Sequence, residues 1–158
     1  MRVLNRILLL VAALGMSLVL AGAASAKGPI AATITGPGLD SPLKLSYRSI
    51  ESRDAMAKLT QDGDFFRQTF TSMAARSAAR RPPVGRLGPR YLVVYTVPGP
   101  RGTSFLRQHL YPYSAAGAVT FMPKGQRFWG TERTRGGWSR GSRALADALV
   151  TAGLPAAP

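Results

Sequence analysis

The first pattern along the chain is an apolar run, Ile7–Leu20, interrupted only by Gly15 and Ser17. Arg2 and Arg6 precede it, and Ala24-Ser25-Ala26 follows it. A positive start, an apolar middle and a small-x-small end are the parts of a secretory signal peptide. Cleavage is expected between Ala26 and Lys27, which makes residues 1–26 a signal peptide. The alternative is an uncleaved anchor. A helix made from the 14 residues of this run spans only about 21 Å, against a hydrocarbon core of about 30 Å.

Beyond the leader the hydrophobic period shortens to two. Ile30–Gly36 alternates and is rich in Thr and Ile, which predicts a strand. Gly36-Pro37-Gly38 and Asp40-Ser41-Pro42 are turn chemistry, and Leu43, Leu45 and Tyr47 then alternate with Lys44 and Ser46. The pair reads as a β-hairpin. Ser49–Leu59 has a weak helical pattern, ended by Gln61-Asp62-Gly63. Asp64 is expected to cap a second helix, in which Phe66, Phe70 and Met73 share a face widened by Phe65.

Residues 77–89 carry Pro82-Pro83, Gly85 and Gly88, which stop helices and strands alike. They read as a flexible linker. The second half then returns to strands. Tyr91–Val97 is apolar at nearly every position, so it is expected to be central in a sheet. Over Phe105–Tyr113, Leu106 and Leu110 fall on one face, and Arg107, His109 and Tyr111 on the other. Val119–Met122 is a further strand, Pro123-Lys124-Gly125 turns into Arg127-Phe128-Trp129, and Gly136-Gly137-Trp138 reads as a turn with an anchoring aromatic. A closing helix is expected, with Ser142 able to cap it, Leu145, Leu149 and Ala152 on one face with Ala148 between them, and an end at Gly153-Leu154-Pro155.

These elements predict an α+β fold: an antiparallel sheet of about five strands, with two or three helices packed on it, after the N-terminal signal peptide. Residues 27–158 form a single mature domain. With no Cys in the chain, disulfides, thiolate metal sites and cysteine nucleophiles are excluded, and the fold rests on packing alone.

Charge changes the picture more than composition does. The chain carries 21 basic and 7 acidic residues, a net charge of +14, and loss of Arg2 and Arg6 with the leader leaves +12. Such a surface is drawn to polyanions. The basic set includes 17 Arg and 4 Lys, a bias that a GC-rich genome also produces without any ligand. Arg76, Arg80, Arg81, Arg86 and Arg90 lie in or beside the linker with no acid among them, and form the candidate polyanion-binding set.

The patches Thr33–Leu39, Leu87–Tyr91 running into Tyr95–Gly99, Leu110–Tyr113 through Pro123–Gln126, and Gly137-Trp138 with Ala152–Pro155 resemble a group of uncharacterised small exported proteins of high-GC Gram-positive bacteria. The resemblance implies export and a shared fold. It implies no activity, so it carries no functional residue onto this chain.

Catalytic and metal motifs are missing from the sequence. His109 is the one histidine, the seven acids are scattered, and Asp62 and Asp64 lack the ligand series of a calcium loop. No G-x-S-x-G, P-loop or dinucleotide fingerprint occurs. No catalytic residue, metal ligand or cofactor is therefore nominated. The suggestive pattern is aromatic residues interleaved with arginines. Tyr111, Tyr113, Trp129 and Trp138 are the candidate platform, since rings beside cations suit sugars or single-stranded nucleic acid.

The expected function is that of an exported, non-catalytic protein, secreted or associated with the cell envelope after cleavage near Ala26. Its expected partners are anionic cell-wall polymers or a membrane surface, with nucleic acid ranked below them. The alternatives are a small extracellular enzyme using His109, or a secreted protein-interaction module. Convergent polar groups around His109 would favour the enzyme, and an exposed apolar patch the interaction module.

Overall fold

The computed structural model describes residues 28–70 and 79–157. Residues 1–26, read as a signal peptide, lie outside the described residues, as do Met73, Arg76 and residues 77–78 of the segment read as a linker. No helix among the described residues is long and apolar enough to cross a membrane.

The elements run β1 (Ala31–Thr35), β2 (Leu43–Ser46), α1 (Arg53–Gln61), α2 (Phe65–Thr69), β3 (Tyr91–Gly99), β4 (Gly102–Tyr111), β5 (Val119–Met122), β6 (Arg127–Phe128), β7 (Glu132–Arg133), β8 (Gly137–Arg140) and α3 (Arg143–Thr151). Six strands form one antiparallel sheet in the order β2-β1-β3-β4-β5-β8, and β6 pairs with β7. The fold is α+β, as the alternation implied.

Period-two patterning explains the inner face. Ala32, Ile34, Leu45, Val93, Tyr95, Val97, Leu106, Leu110 and Met122 are buried, and α1, α2 and α3 add Met56, Leu59, Phe65, Leu145 and Leu149. Each fully buried aliphatic or aromatic side chain contributes about 1.5–3 kcal/mol. Tyr95 and Phe65 pack with ring centroids 4.6 Å apart, which seats α2 on the centre of the sheet.

The sheet has six strands rather than five because Trp138 is not in a turn. Gly136 (φ 72°) makes the bend, and Gly137 already begins β8, in which Trp138 pairs with Phe121. Two adjacent glycines hid a four-residue edge strand. Asp64 also departs from expectation. It sits at the N-cap position of α2 with φ 61° and makes no side-chain cap. Its carboxylate is used elsewhere, accepting from Ser139 Oγ and pairing with Arg67 Nε at 3.2 Å. The aromatic face of α2 is short for a related reason. The helix stops at Thr69, and Phe70 is extended, although it still stacks on Phe66 at 6.2 Å. Ser142, by contrast, caps α3 as read, accepting from Leu145 N at 3.2 Å, and Gly153 follows with φ 111°.

One polar cluster lies inside the core. Gln108 Nε2 donates to Gly63 O at 2.9 Å and to Gln68 Oε1 at 2.5 Å, while Gln108 Oε1 accepts from Tyr95 Oη at 2.7 Å. Gln68 Nε2 donates to Thr120 Oγ1 at 3.2 Å and Gly137 O at 3.1 Å, and Thr120 Oγ1 donates to Gly63 O at 2.9 Å. Both glutamines are fully buried. Every amide hydrogen in the cluster has an acceptor, which is the condition for a buried polar group to be tolerated. The network ties the α1–α2 connection, α2, β4, β5 and β8 into one register.

Candidate polyanion-binding face

The helices cover one side of the sheet, and the other is open except at Val119 of β5, which is fully buried there. Alternation places Leu92 and Val94 of β3, Phe105, Arg107, His109 and Tyr111 of β4, Phe121 of β5, and Trp138 and Arg140 of β8 on this outer side. Tyr91–Val97 is central, as its apolar run implied, but only its inner face is fully buried, with Leu92 and Val94 half-buried on the outer one.

His109, Phe121 and Trp138 are cross-strand neighbours. Their rings lie 5.7 Å and 4.7 Å apart, and Tyr111 stacks diagonally on Trp138 at 5.8 Å with an interplanar angle of 29°. A ring on each of three adjacent strands follows from the pleat, which aligns one residue per strand across the sheet.

Of the four aromatics nominated from sequence, Tyr111 and Trp138 are therefore in this row, and two are elsewhere. Tyr113 is half-buried against the core, and its hydroxyl donates to Pro155 O, so it ties down the chain after α3. Trp129 (φ 51°) packs on the core beside Gly99, at the far end of the β3–β4 hairpin. Phe121, not nominated from sequence, joins the row, and Phe105 stands apart from it on the same face, farther along β4. Phe105 is 65% exposed. Its signal was present in the alternation of Phe105, Arg107, His109 and Tyr111.

The arm from Ala79 to Arg90 frames this face and is tied to it. Ala79 exchanges both backbone hydrogen bonds with Trp138, each 2.8 Å, and Ala115 N donates to Arg86 O at 3.0 Å. The segment read as a linker thus runs from the β8 edge, past the β4–β5 connection, to the start of β3. Arg80, Arg81, Arg86 and Arg90 are all exposed along it. Arg67 and Arg140, absent from the sequence-derived set, join Arg81 around a groove of about 370 Å³, walled by Pro82, Pro83 and Trp138. No pattern near Arg67 or Arg140 in the chain signals this, because the groove is made by the pairing of the arm with β8.

The acids lie off the strands of the sheet, and Asp62 and Asp64 approach the face at one point, bordering a small pocket with Arg140. All seven lie within the described residues, and none is on β1–β5 or β8. Two ion pairs occur among the described residues, Arg67 with Asp64 and Lys58 with Asp62 at 3.7 Å, both at the helix layer. Among the described residues no group of three acid, His or Cys side chains is placed to hold a metal. A larger cleft of about 640 Å³ lies between α3 and the β4–β5 connection, but alanines line much of it and Arg143 and Asp147 oppose each other in sign.

His109 is half-buried on the open face against Phe121. Burial, and then the Arg90 guanidinium, hold its imidazole below the ordinary value. Arg107 is the neighbour the strand pattern suggests, yet Arg90 is the cation that acts on the ring. A base whose folded pKa is depressed binds fewer protons folded than unfolded. Stability from this site is therefore complete above about pH 6.5 and declines as pH falls through the range just below it. His109→Gln is expected to remove that part of the acid sensitivity and leave stability at pH 7.5 nearly unchanged. Urea midpoints of both proteins across pH 5–8 check this, and an unchanged pH profile in the variant would contradict it.

Comparison with known proteins returned no matching family, no matching curated protein and no matching solved structure. The functional reading therefore rests on the open face and its arm.

Proposed function

We propose that this is an exported, non-catalytic protein associated with the cell envelope, where its open sheet face and arm bind anionic polymers. The observation that carries the reading is the charge on that face. Lys44, Arg107 and Arg140 project from the sheet, Arg81, Arg86 and Arg90 from the arm, and no carboxylate lies on any strand of the sheet. An uncompensated basic surface of this size attracts polyanions and repels a second copy of itself. The half-buried aromatic row on the same face adds apolar surface beside Arg140 of β8. The export part of the proposal rests on the leader pattern at residues 1–26.

Binding on an immobilised linear polyanion is expected to weaken steeply with salt. Replacing Arg80, Arg81 and Arg86 together with Gln should move elution to lower salt and flatten the log K against log salt slope by about 0.7–0.9 per lost phosphate contact. A slope equal to that of the unaltered protein would remove the arm from the binding surface.

A further inference from the structure

Resting on that reading, we infer that the groove between the arm and β8 is a phosphate site, taking a polyol-phosphate chain through Arg81 and Arg140 against the Trp138 wall. The groove holds about 370 Å³, enough for one or two small repeat units, and is lined by Arg67, Arg81, Pro82, Pro83, Trp138 and Arg140. Arg67 is already paired with Asp64 at 3.2 Å, so it borders the site as a neutralised pair. Neither Arg81 nor Arg140 makes an ion pair among the described residues, although Arg140 also borders the small pocket that Asp62 and Asp64 line, where those acids are paired with Lys58 and Arg67. Two guanidiniums lining one groove suit a phosphodiester, because each presents a planar fork of N–H donors to phosphate oxygens.

The ring arrangement decides the class of chain between the phosphates. Trp138 contacts Phe121 at 4.7 Å and Tyr111 at 5.8 Å, and it is half-buried. A single-strand binder presents separate rings with open faces, one per base. Here Trp138 is engaged with Phe121 and Tyr111, and beside it the groove is walled by two prolines. Those surfaces fit the C–H groups of a short polyol better than the face of a nucleobase. A neutral glycan fits poorly, because it gives the Arg81 and Arg140 guanidiniums no anionic partner.

The groove is also rigid where it matters. The paired Ala79 and Trp138 backbones hold the arm to β8, and Ser139 on the same strand is tied to Asp64. Arg81 and Arg140 are thus presented from anchored backbone on both sides.

The test titrates the protein with poly(glycerol phosphate) and follows the two tryptophan indole N–H signals by NMR. The Trp138 signal should move and saturate, while that of Trp129, at the other end of the sheet, should not. Arg81→Gln with Arg140→Gln should weaken affinity about tenfold. Arg53→Gln with Arg101→Gln removes the same charge away from the groove and should change affinity far less at an equal thermal midpoint. Binding that persists with an unmoved Trp138 signal, or with equal losses in the two double variants, would overturn the groove while leaving the polyanion reading intact. Tighter binding of an oligothymidylate, or of phosphatidylglycerol vesicles, with the same dependence on Arg81 and Arg140, would overturn the polyol-phosphate assignment. No binding of any of the three at low salt would overturn both readings.

Discussion

Replacing Gln108 with Leu is expected to lower the thermal midpoint by about 10 °C. Leu fits an inward position on β4 between Leu106 and Leu110, and by pattern alone it looks stabilising. The network reverses that expectation. Without the amide, Tyr95 Oη loses its acceptor, Gln68 Oε1 loses its donor, and Gly63 O keeps only the bond from Thr120. Each orphaned buried group costs about 1–3 kcal/mol, partly offset by about 1–2 kcal/mol from the added apolar burial. The net loss is about 3 kcal/mol. Tyr95→Phe removes a single donor and should cost about 1 kcal/mol. Urea unfolding of the two variants gives the ranking directly. A Gln108→Leu protein as stable as the unaltered one would mean that the network contributes nothing beyond its shape.

Gly136→Ala is the second large effect, and it reaches the binding face as well as the stability. A Cβ there would lie 2.6 Å from Lys124 N, 2.7 Å from Met122 O and 2.8 Å from Lys124 Cα, all of them backbone. Its φ of 72° also lies in the left-handed region that side chains disfavour. Backbone cannot rotate away as a side-chain tip can, so β8 must shift against β5. The expected loss is about 3 kcal/mol. Trp138 and Arg140 follow within the same strand, so affinity for an immobilised polyanion should fall with stability, even at temperatures where the variant is folded. Gly125→Ala is the control. Its φ is 86°, but nothing lies within 4 Å of the added methyl, so strain alone applies, at about 1 kcal/mol. Thermal midpoints and salt elution of the two variants separate clash from strain. Equal effects at both positions would refute the steric argument.

The open face was partly legible before any tertiary contact was known. Arg107, His109 and Tyr111 were assigned to one side of a strand, and Leu106 and Leu110 to the other. That assignment needs only the two-residue period of a single extended segment. Gln108 sits on the inner side by the same rule, and nothing local says that it will be satisfied there. Its partners come from Gly63, Gln68 and Tyr95, on three other parts of the chain.

By itself the sequence determined the α+β class, the hairpin of Ile30–Gly36 with Leu43–Tyr47, the central place of Tyr91–Val97, the closing helix capped by Ser142 and the excess of arginine over acid. Each of these follows from periodicity, capping chemistry or counting within a short window. Tertiary structure decided the rest. It made Gly137–Arg140 a sixth strand, because a four-residue edge strand is stabilised by its neighbour rather than by its own pattern. It divided the four candidate aromatics, since only strand register brings Tyr111 and Trp138 together. It buried His109 and brought Arg90 to it as the acting cation, and it placed Arg81 and Arg140 on one groove through the pairing of Ala79 with Trp138. Those relations join residues far apart in the chain, and pairing between distant segments is fixed by the packing of the whole sheet.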